Sequence, residues 1–373
     1  MSAQSDARYM ALALHLGARR LGQVWPNPAV GCVVVRDGRI VGRGATAPGG
    51  RPHAEPRALA QAGDAARGAT VYVSLEPCAH HGKTPPCCEA LIAAGVARVV
   101  SAMEDPDPRT AGQGHAALRA AGIAVDSGVL VEDAARLHRG FVLRVTRGRP
   151  FVTLKLAGSF DGRIATATGE SRWITGPDAR RRVHAARACH DLVLVGGGTA
   201  RADDPDLRVR DLGVTRQPVR AVASRHLNLP VDGRLATSAA EGPVWVIHDP
   251  ARMSKEDPTA AALRAQGVEL VTARSDPGGQ LNAGSMLEAL GARGITRVFC
   301  EGGGALAASL LQADLVDEVI GFTAGLMLGA EGRPALGALG VSALAEAPRF
   351  RLVRAERIGA DVLHVWERGE PLA

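Results

Sequence analysis

Pro52-His53-Ala54-Glu55, Glu76-Pro77-Cys78 and Pro85-Pro86-Cys87 are the stretches on which the reading of this 373-residue chain turns. Imidazole nitrogen and thiolate sulfur are donors for zinc, and a zinc site that does chemistry keeps one of four positions open. His53, Cys78 and Cys87 supply three. Zinc lowers the pKa of a water it holds from 15.7 towards about 7. Glu55, two residues past His53, is left as a carboxylate that could shuttle protons to a leaving group. Cys87 stands at a predicted helix start, where the dipole favours a thiolate. Taken singly, each residue has a plainer reading: a core histidine, buried small cysteines, a solvated helix glutamate. The reading rests on the set.

Around these stretches, strands and helices alternate. Apolar spacing predicts a helix over 7–21 that ends near Gly22. Strands over 29–36 and 39–44 flank Asp37-Gly38, a hairpin turn. A helix over 53–61 tolerates Pro56 only because it lies in the first turn. Strands over 70–75, 97–103 and 123–125 then alternate with helices over 87–94 and 113–121, an α/β layer pattern. Arg147-Gly148-Arg149-Pro150 is the candidate linker. Beyond it come strands over 151–156, 191–195 and 298–300. Thr175-Gly176-Pro177-Asp178 opens a helix with a capping box and an early proline. No repeat or low-complexity tract interrupts the pattern.

The order H-x-E, then P-C, then C matches the zinc deaminase signature, in which activated water attacks a ring carbon and ammonia leaves. That signature is usually written with two residues between the cysteines; residues 79–86 intervene here, which excludes presentation from one helical turn. Cys88 reads as a packing residue, since a fourth thiolate would close the site. The stretch Pro77-Cys78-Ala79-His80-His81-Gly82-Lys83-Thr84-Pro85-Pro86-Cys87 closely resembles the bifunctional riboflavin-biosynthesis deaminase/reductase family, as does Pro26-Asn27-Pro28-Ala29-Val30-Gly31. The resemblance implies that His53, Cys78 and Cys87 bind one zinc ion and that Glu55 is the proton shuttle. It implies a pyrimidine substrate, 2,5-diamino-6-ribosylamino-4(3H)-pyrimidinone 5′-phosphate, contacted by Asn27, His80, Lys83 and Asp105, with Lys83 near the phosphate. The chain departs from the family where it reads Ala45-Thr46-Ala47, often the place of a histidine, and at Asp107, often an asparagine.

In the second half, Glu301-Gly302-Gly303-Gly304-Ala305-Leu306-Ala307 follows a strand and opens a helix, a context that suits phosphate. It reads G-x-G-x-x-A, but the acidic residue of a dinucleotide fingerprint is missing about 20 positions on. Lys155-Leu156-Ala157-Gly158-Ser159-Phe160-Asp161-Gly162-Arg163, the segment 169–175 and the segment 198–207 resemble the reductase motifs of the same family. The resemblance implies a dihydrofolate-reductase-like domain that uses NADPH to reduce ribosyl to ribityl. It implies cofactor contacts from Ala157, Trp173, Thr199, Asp203, Ser224, Gly303, Gly304, Ala305, Leu306, Ala307, Ala308 and Ser309. Substrate contacts fall to Ser171, Arg187, Leu207, Arg210 and Glu301, the two arginines suiting its phosphate. Lys155 and Glu301 are the candidate proton donors. Arg180-Arg181-Arg182 reads as a solvated helix face.

The expected architecture is therefore α/β throughout: a cytidine-deaminase-like α/β/α domain over 1–147, then the reductase domain over 148–373. The formal charge of +6 is scattered among acids, which suits a small anionic substrate at least as well as nucleic acid. The chain start lacks the basic and apolar regions of a signal peptide, no apolar run approaches about 20 residues, and six cysteines are too few for a disulfide framework. These features predict a cytoplasmic enzyme without membrane or nucleic-acid partners; a homo-oligomer follows from the resemblance alone. The competing readings are a nucleic-acid deaminase with a binding module, and a structural zinc domain with an inert dimerisation domain.

Overall fold

Short apolar runs separated by glycine-containing turns build a sheet of five strands. The computed structural model describes residues 3–82, 85–107, 110–214, 216–252 and 257–369. β1 (Gly31–Arg36) and β2 (Arg39–Ala45) form a hairpin whose Asp37 and Gly38 have φ of 51° and 73°. A two-residue loop of this twist needs positive φ at both positions. β3 (Thr70–Val73) pairs antiparallel with β1, and β4 (Arg98–Ser101) and β5 (Ala124–Ser127) continue in parallel, giving the order β2-β1-β3-β4-β5.

Helices cover both faces. The side-chain alternation of β1 decides which residues meet which helices. Cys32 and Val34 join one core with α2 (Ala54–Ala62), α3 (Cys87–Ala93) and α4 (Gln113–Ala120), through Ala58, Leu91 and Leu118. Val33 and Val35 join the other with α1 (Ala3–Ala18) and α5 (Val131–Arg147), through Met10, Leu14 and Ala134. This is the expected α/β/α layering. α2 lies close on β2: a Cβ on Gly44 would stand 2.1 Å from the Ala54 carbonyl oxygen, so glycine is required where the helix start is pressed to the sheet. That contact fixes His53, the residue capping α2, and Glu55 in its first turn. Contacts divide the chain into two compact units, Met1–Gly148 and Arg149–Ala373.

The second unit is built on nine strands: β6 (Phe151–Ser159), β8 (Leu192–Gly196), β9 (Val219–Ala223), β10 (Val244–His248), β11 (Glu269–Thr272), β12 (Arg297–Cys300), β13 (Glu318–Ala324), β15 (Phe350–Ile358) and β16 (Asp361–Arg368). Their order is β11-β10-β9-β8-β12-β6-β13-β16-β15, with a separate pair of β7 (Arg163–Ala165) and β14 (Arg333–Pro334). The first seven strands in that order are parallel, the inner β10, β9, β8 and β12 are nearly continuously buried, and β16 and β15 return antiparallel. Crossovers include α6 (Pro177–Ala188), α7 (Gly197–Asp203), α8 (Arg234–Thr237), α9 (Pro258–Ala265), α10 (Ala283–Ala292) and α11 (Gly304–Gln312). In such a sheet ligands gather beyond the carboxyl ends of the strands.

The capping box expected at Thr175 is not formed. Gly176 is the N-cap of α6, without a side-chain cap, and its N–H donates to Asp361 Oδ2 at 2.7 Å. A carboxylate from the distant β16 thus takes the N–H of the N-cap residue, the donor that a side chain of the first helical turn takes in a capping box.

Candidate active sites

In the first unit, α2 presents His53 and Glu55 while the loop after β3 and the start of α3 present Cys78 and Cys87. Nδ1 of His53 lies 3.6 Å from Cys78 Sγ and 3.3 Å from Cys87 Sγ, and the three donor atoms all lie within 4.8 Å of one another. Tetrahedral zinc with ordinary Zn–N and Zn–S bonds spaces such donors about 3.6 Å apart. The donor set fits the ion. Glu55 is 3% exposed, and its Oε2 is buried with no partner among the described residues, as a carboxylate facing a small ligand would be. Cys88 is buried in the apolar core and stands outside the cluster.

The helix start acts on a different sulfur from the one expected. The Cys87 N–H, in the first turn of α3, donates to Cys78 Sγ at 3.4 Å. The Cys87 thiol beside it and His53 bring Cys78 down to about 4 against the opposing effect of burial. Cys87 is pushed far up by Cys78 and by burial. Burial and the charge of Cys78 raise Glu55 to about 7.

Asn27, His80 and Asp105 line the same cleft as His53, Glu55 and Cys78, whereas Lys83 lies outside the described residues. Thr46 and Asp107, the two departures from the family pattern, line it as well. The Thr46 hydroxyl donates to Pro28 O and accepts the Val30 N–H, both at 3.1 Å, so it braces the Pro26–Pro28 turn. Asp107 donates its backbone N–H to Asp105 Oδ1 at 2.9 Å. Phe141, Arg144 and Arg51 complete the cleft and were missed in sequence. The signal for the first two was present. Glu132 and Asp133 in the first turn, Arg144 and Arg147 in the last and Gly148 after it are the start and stop marks of α5.

In the second unit the expected residues divide into two groups at the carboxyl ends of the strands. Ser224, Ala305, Leu306, Ala308 and Ser309 line a cavity of about 620 Å³, together with Gly197, Gly198, Arg201 and Arg225. Thr199 joins it to the glycine-rich turn by accepting the Gly303 N–H at 3.1 Å. Ala307 does not line the cavity; its side chain is fully buried on the opposite, core-facing side of α11. Asp203 accepts from Arg172 through its carbonyl, and Trp173 is two-thirds exposed under Arg180, whose guanidinium stacks 4.4 Å above the ring. Arg180 is therefore not part of a solvated face.

The other group centres on Glu301. Arg187 Nε and Nη2 donate to its two oxygens at 2.5 and 3.1 Å, and Lys155 Nζ lies 3.8 Å from Oε2. Burial disfavours the carboxylate, but Arg187 and Lys155 outweigh it and hold Glu301 below the usual range. Arg187 also donates to Arg208 O, so its fork is engaged by protein rather than open for a phosphate. Arg210 and Ser171 are exposed, and the Arg210 N–H donates to His184 Nδ1 at 3.3 Å. Leu207, expected at the substrate, has its side chain in the apolar core and a φ of 59°.

A three-layer α/β/α unit bearing one imidazole, two sulfurs and a buried carboxylate defines a zinc-dependent hydrolase of the cytidine-deaminase class, here joined to a second α/β unit. Residues 3–103 match the family model for the cytidine and deoxycytidylate deaminase zinc-binding region, and residues 150–364 match that for the RibD C-terminal domain. The chain belongs to the RibD family of riboflavin-biosynthesis enzymes, with a zinc-binding deaminase domain and a reductase domain. It is 42% identical to riboflavin biosynthesis protein RibD of Escherichia coli, over 96% of this chain and 99% of that protein. The Aquifex aeolicus protein of the same name is 39% identical, over 99% and 100%. Among solved structures, RibD of Acinetobacter baumannii superposes with a TM-score of 0.88 at 37% identity, covering 99% of this chain and all of that one. A Thermotoga maritima diaminohydroxyphosphoribosylaminopyrimidine deaminase/5-amino-6-(5-phosphoribosylamino)uracil reductase gives 0.85 at 36%, covering 98% and 99%. Among the described residues no helix is long and apolar enough to cross a membrane.

Proposed function

We propose that the first unit deaminates 2,5-diamino-6-ribosylamino-4(3H)-pyrimidinone 5′-phosphate and that the second reduces the ribosyl group of the product to ribityl with NADPH. The observation that carries the first half is His53 Nδ1 facing two sulfurs with the unpartnered Glu55 oxygen buried beside them. Zinc held by His53, Cys78 and Cys87 supplies a Lewis acid that makes water reactive near neutral pH. Glu55 accepts the proton lost by water as its oxygen adds to the ring carbon, then delivers a proton to the exocyclic nitrogen, which departs as ammonia. Asn27, His80, Lys83 and Asp105 orient the ring and its phosphate.

In the second unit, NADPH supplies a hydride, received at C1′ of the sugar opened as an imine. The cavity between Ser224 and α11 suits the cofactor in size and in its mixture of glycine turns and basic side chains. Glu301, held ionised, is a poor acid. Lys155 beside it is the better donor of the accompanying proton, with Glu301 orienting its ammonium.

A homo-oligomer is supported by β15, an edge strand with Leu352 and Val353 exposed. A reducing cytoplasm suits six unpaired cysteines.

A two-stage assay tests the reading. Ammonia release from the diaminopyrimidine phosphate should require zinc, and NADPH oxidation should begin only once the deaminated product has formed. NADPH oxidation that precedes or proceeds without deamination would overturn the order. Salt-sensitive RNA deamination in place of ammonia release from the free pyrimidine would overturn the substrate.

A further inference from the structure

Carboxylates dominate the charge of the first unit's cleft. Glu55, Glu76, Asp105 and Asp107 all line it, and the only lysine or arginine side chains among its described lining residues are Arg51 and Arg144. A phosphate dianion brought among four carboxyl groups is repelled unless cations receive it. The Arg144 side chain reaches the Pro26-Asn27-Pro28 turn, and the backbone next to Arg51 is tied to the same turn. Arg144 Nη2 donates to Pro26 O at 3.3 Å, and the Asn27 amide donates to the carbonyl of Gly50, the neighbour of Arg51, at 2.9 Å. A side chain on Gly82 would begin 3.3 Å from Arg51 Nη2, so this guanidinium also borders the loop that carries His80.

Accepting the proposed pyrimidine phosphate as substrate, the geometry points to a phosphomonoester subsite formed by Arg51 and Arg144, the two guanidinium groups that line this cleft. The two come from different elements, Arg51 from the segment entering α2 and Arg144 from the last turn of α5. Arg51 is two residues from His53, so a phosphate held there stands on the segment that carries a zinc ligand. Guanidinium forks match phosphate oxygens in geometry as well as charge. The family resemblance had placed Lys83 near the phosphate.

The test uses the full-length chain carrying Arg51→Ala, Arg51→Lys, Arg144→Ala or Lys83→Ala. The readout is the ratio of kcat/KM for ammonia release from the phosphorylated pyrimidine to that from its dephosphorylated counterpart. Zinc content and reductase turnover report that each variant is folded. Each arginine-to-alanine change should reduce the phosphate preference about tenfold or more, the scale of a charge-assisted hydrogen bond. Arg51→Lys should recover part of it. Equal losses on both compounds would mean a structural role and overturn the subsite. So would an unmoved preference in both arginine variants with collapse in Lys83→Ala alone. Wild-type inactivity toward both compounds is a different result: it removes the functional reading and the subsite with it.

Discussion

Glu76 and Asp105 are joined through the backbone: Glu76 Oε2 accepts the Asp105 N–H at 3.1 Å. The same oxygen accepts the Gly112 N–H at 3.0 Å, and Oε1 accepts the His115 N–H at 3.1 Å. The Glu76 side chain is wholly buried. One carboxylate just ahead of Pro77-Cys78 therefore anchors the segment that carries Asp105 and Asp107 over the cleft and leads into α4. These bonds also account for the grouping of Glu76, Glu104 and His115, whose spacing alone could suggest a second metal site.

Glu76→Gln should destabilise the first unit and slow deamination. Glutamine offers one acceptor oxygen, and its NH2 would meet backbone donors; each buried donor left unpaired costs about 1–3 kcal/mol. Thermal unfolding and ammonia release should both fall while reductase turnover persists. An unchanged midpoint would remove the anchoring role.

Glu55→Gln should leave zinc bound and reduce ammonia release by roughly 10²- to 10⁴-fold, the usual contribution of a positioned proton carrier. Metal content by mass spectrometry and the deamination rate check this together. Retained activity with zinc in place would assign Glu55 a structural part only.

Cys87→Ser, or chelation of the wild type, should abolish ammonia release without stopping NADPH oxidation on the deaminated product. The two activities reside in units with separate cores, so loss of the zinc site should not reach the second. Simultaneous loss of both activities at intact folding would contradict this.

Burial, aided by Asp107 and Glu76, pushes Asp105 up to about 6. The sign follows from the ordinary aspartate value near 3.9. A raised carboxyl pKa means the folded state holds the proton more tightly, so the stability this gives is complete below about pH 4 and is lost as pH rises through about 6. Denaturant unfolding of the wild type should weaken relative to Asp105→Asn across that window and run parallel to it above about pH 7. A constant difference from pH 4 to 7 would rule out the shift.

Arg187→Met should destabilise the second unit more than the double change Arg187→Met with Glu301→Gln. Removing one partner of a buried ion pair costs about 3–5 kcal/mol, because the other charge is stranded; neutralising both relieves that. Unfolding midpoints of the two variants decide it. A double variant less stable than the single would mean that Lys155 alone suffices for Glu301.

Much of this was legible from residue order. The Asp37-Gly38 hairpin, the helix that starts at His53 and the β12–α11 turn are set by local chemistry: turn residues that accept positive φ, proline in a first turn, glycines after an apolar strand. α5 was overlooked although its end signals were intact, and with it went Arg144 and Phe141. The bond from the Gly176 N–H to Asp361 and the pairing of Arg187 with Glu301 were beyond reach, because each joins residues more than a hundred positions apart.

Strand and helix alternation was enough to specify α/β layering, donor types and their order were enough for a three-ligand zinc motif, and the family resemblance supplied the α/β/α arrangement. Which sulfur receives the helix N–H, which arginines enter the deaminase cleft and which of the expected residues have buried side chains are matters of packing. Leu207 and Ala307 are buried because neighbouring strands and helices close over them, a consequence of long-range burial that no local pattern of residues encodes.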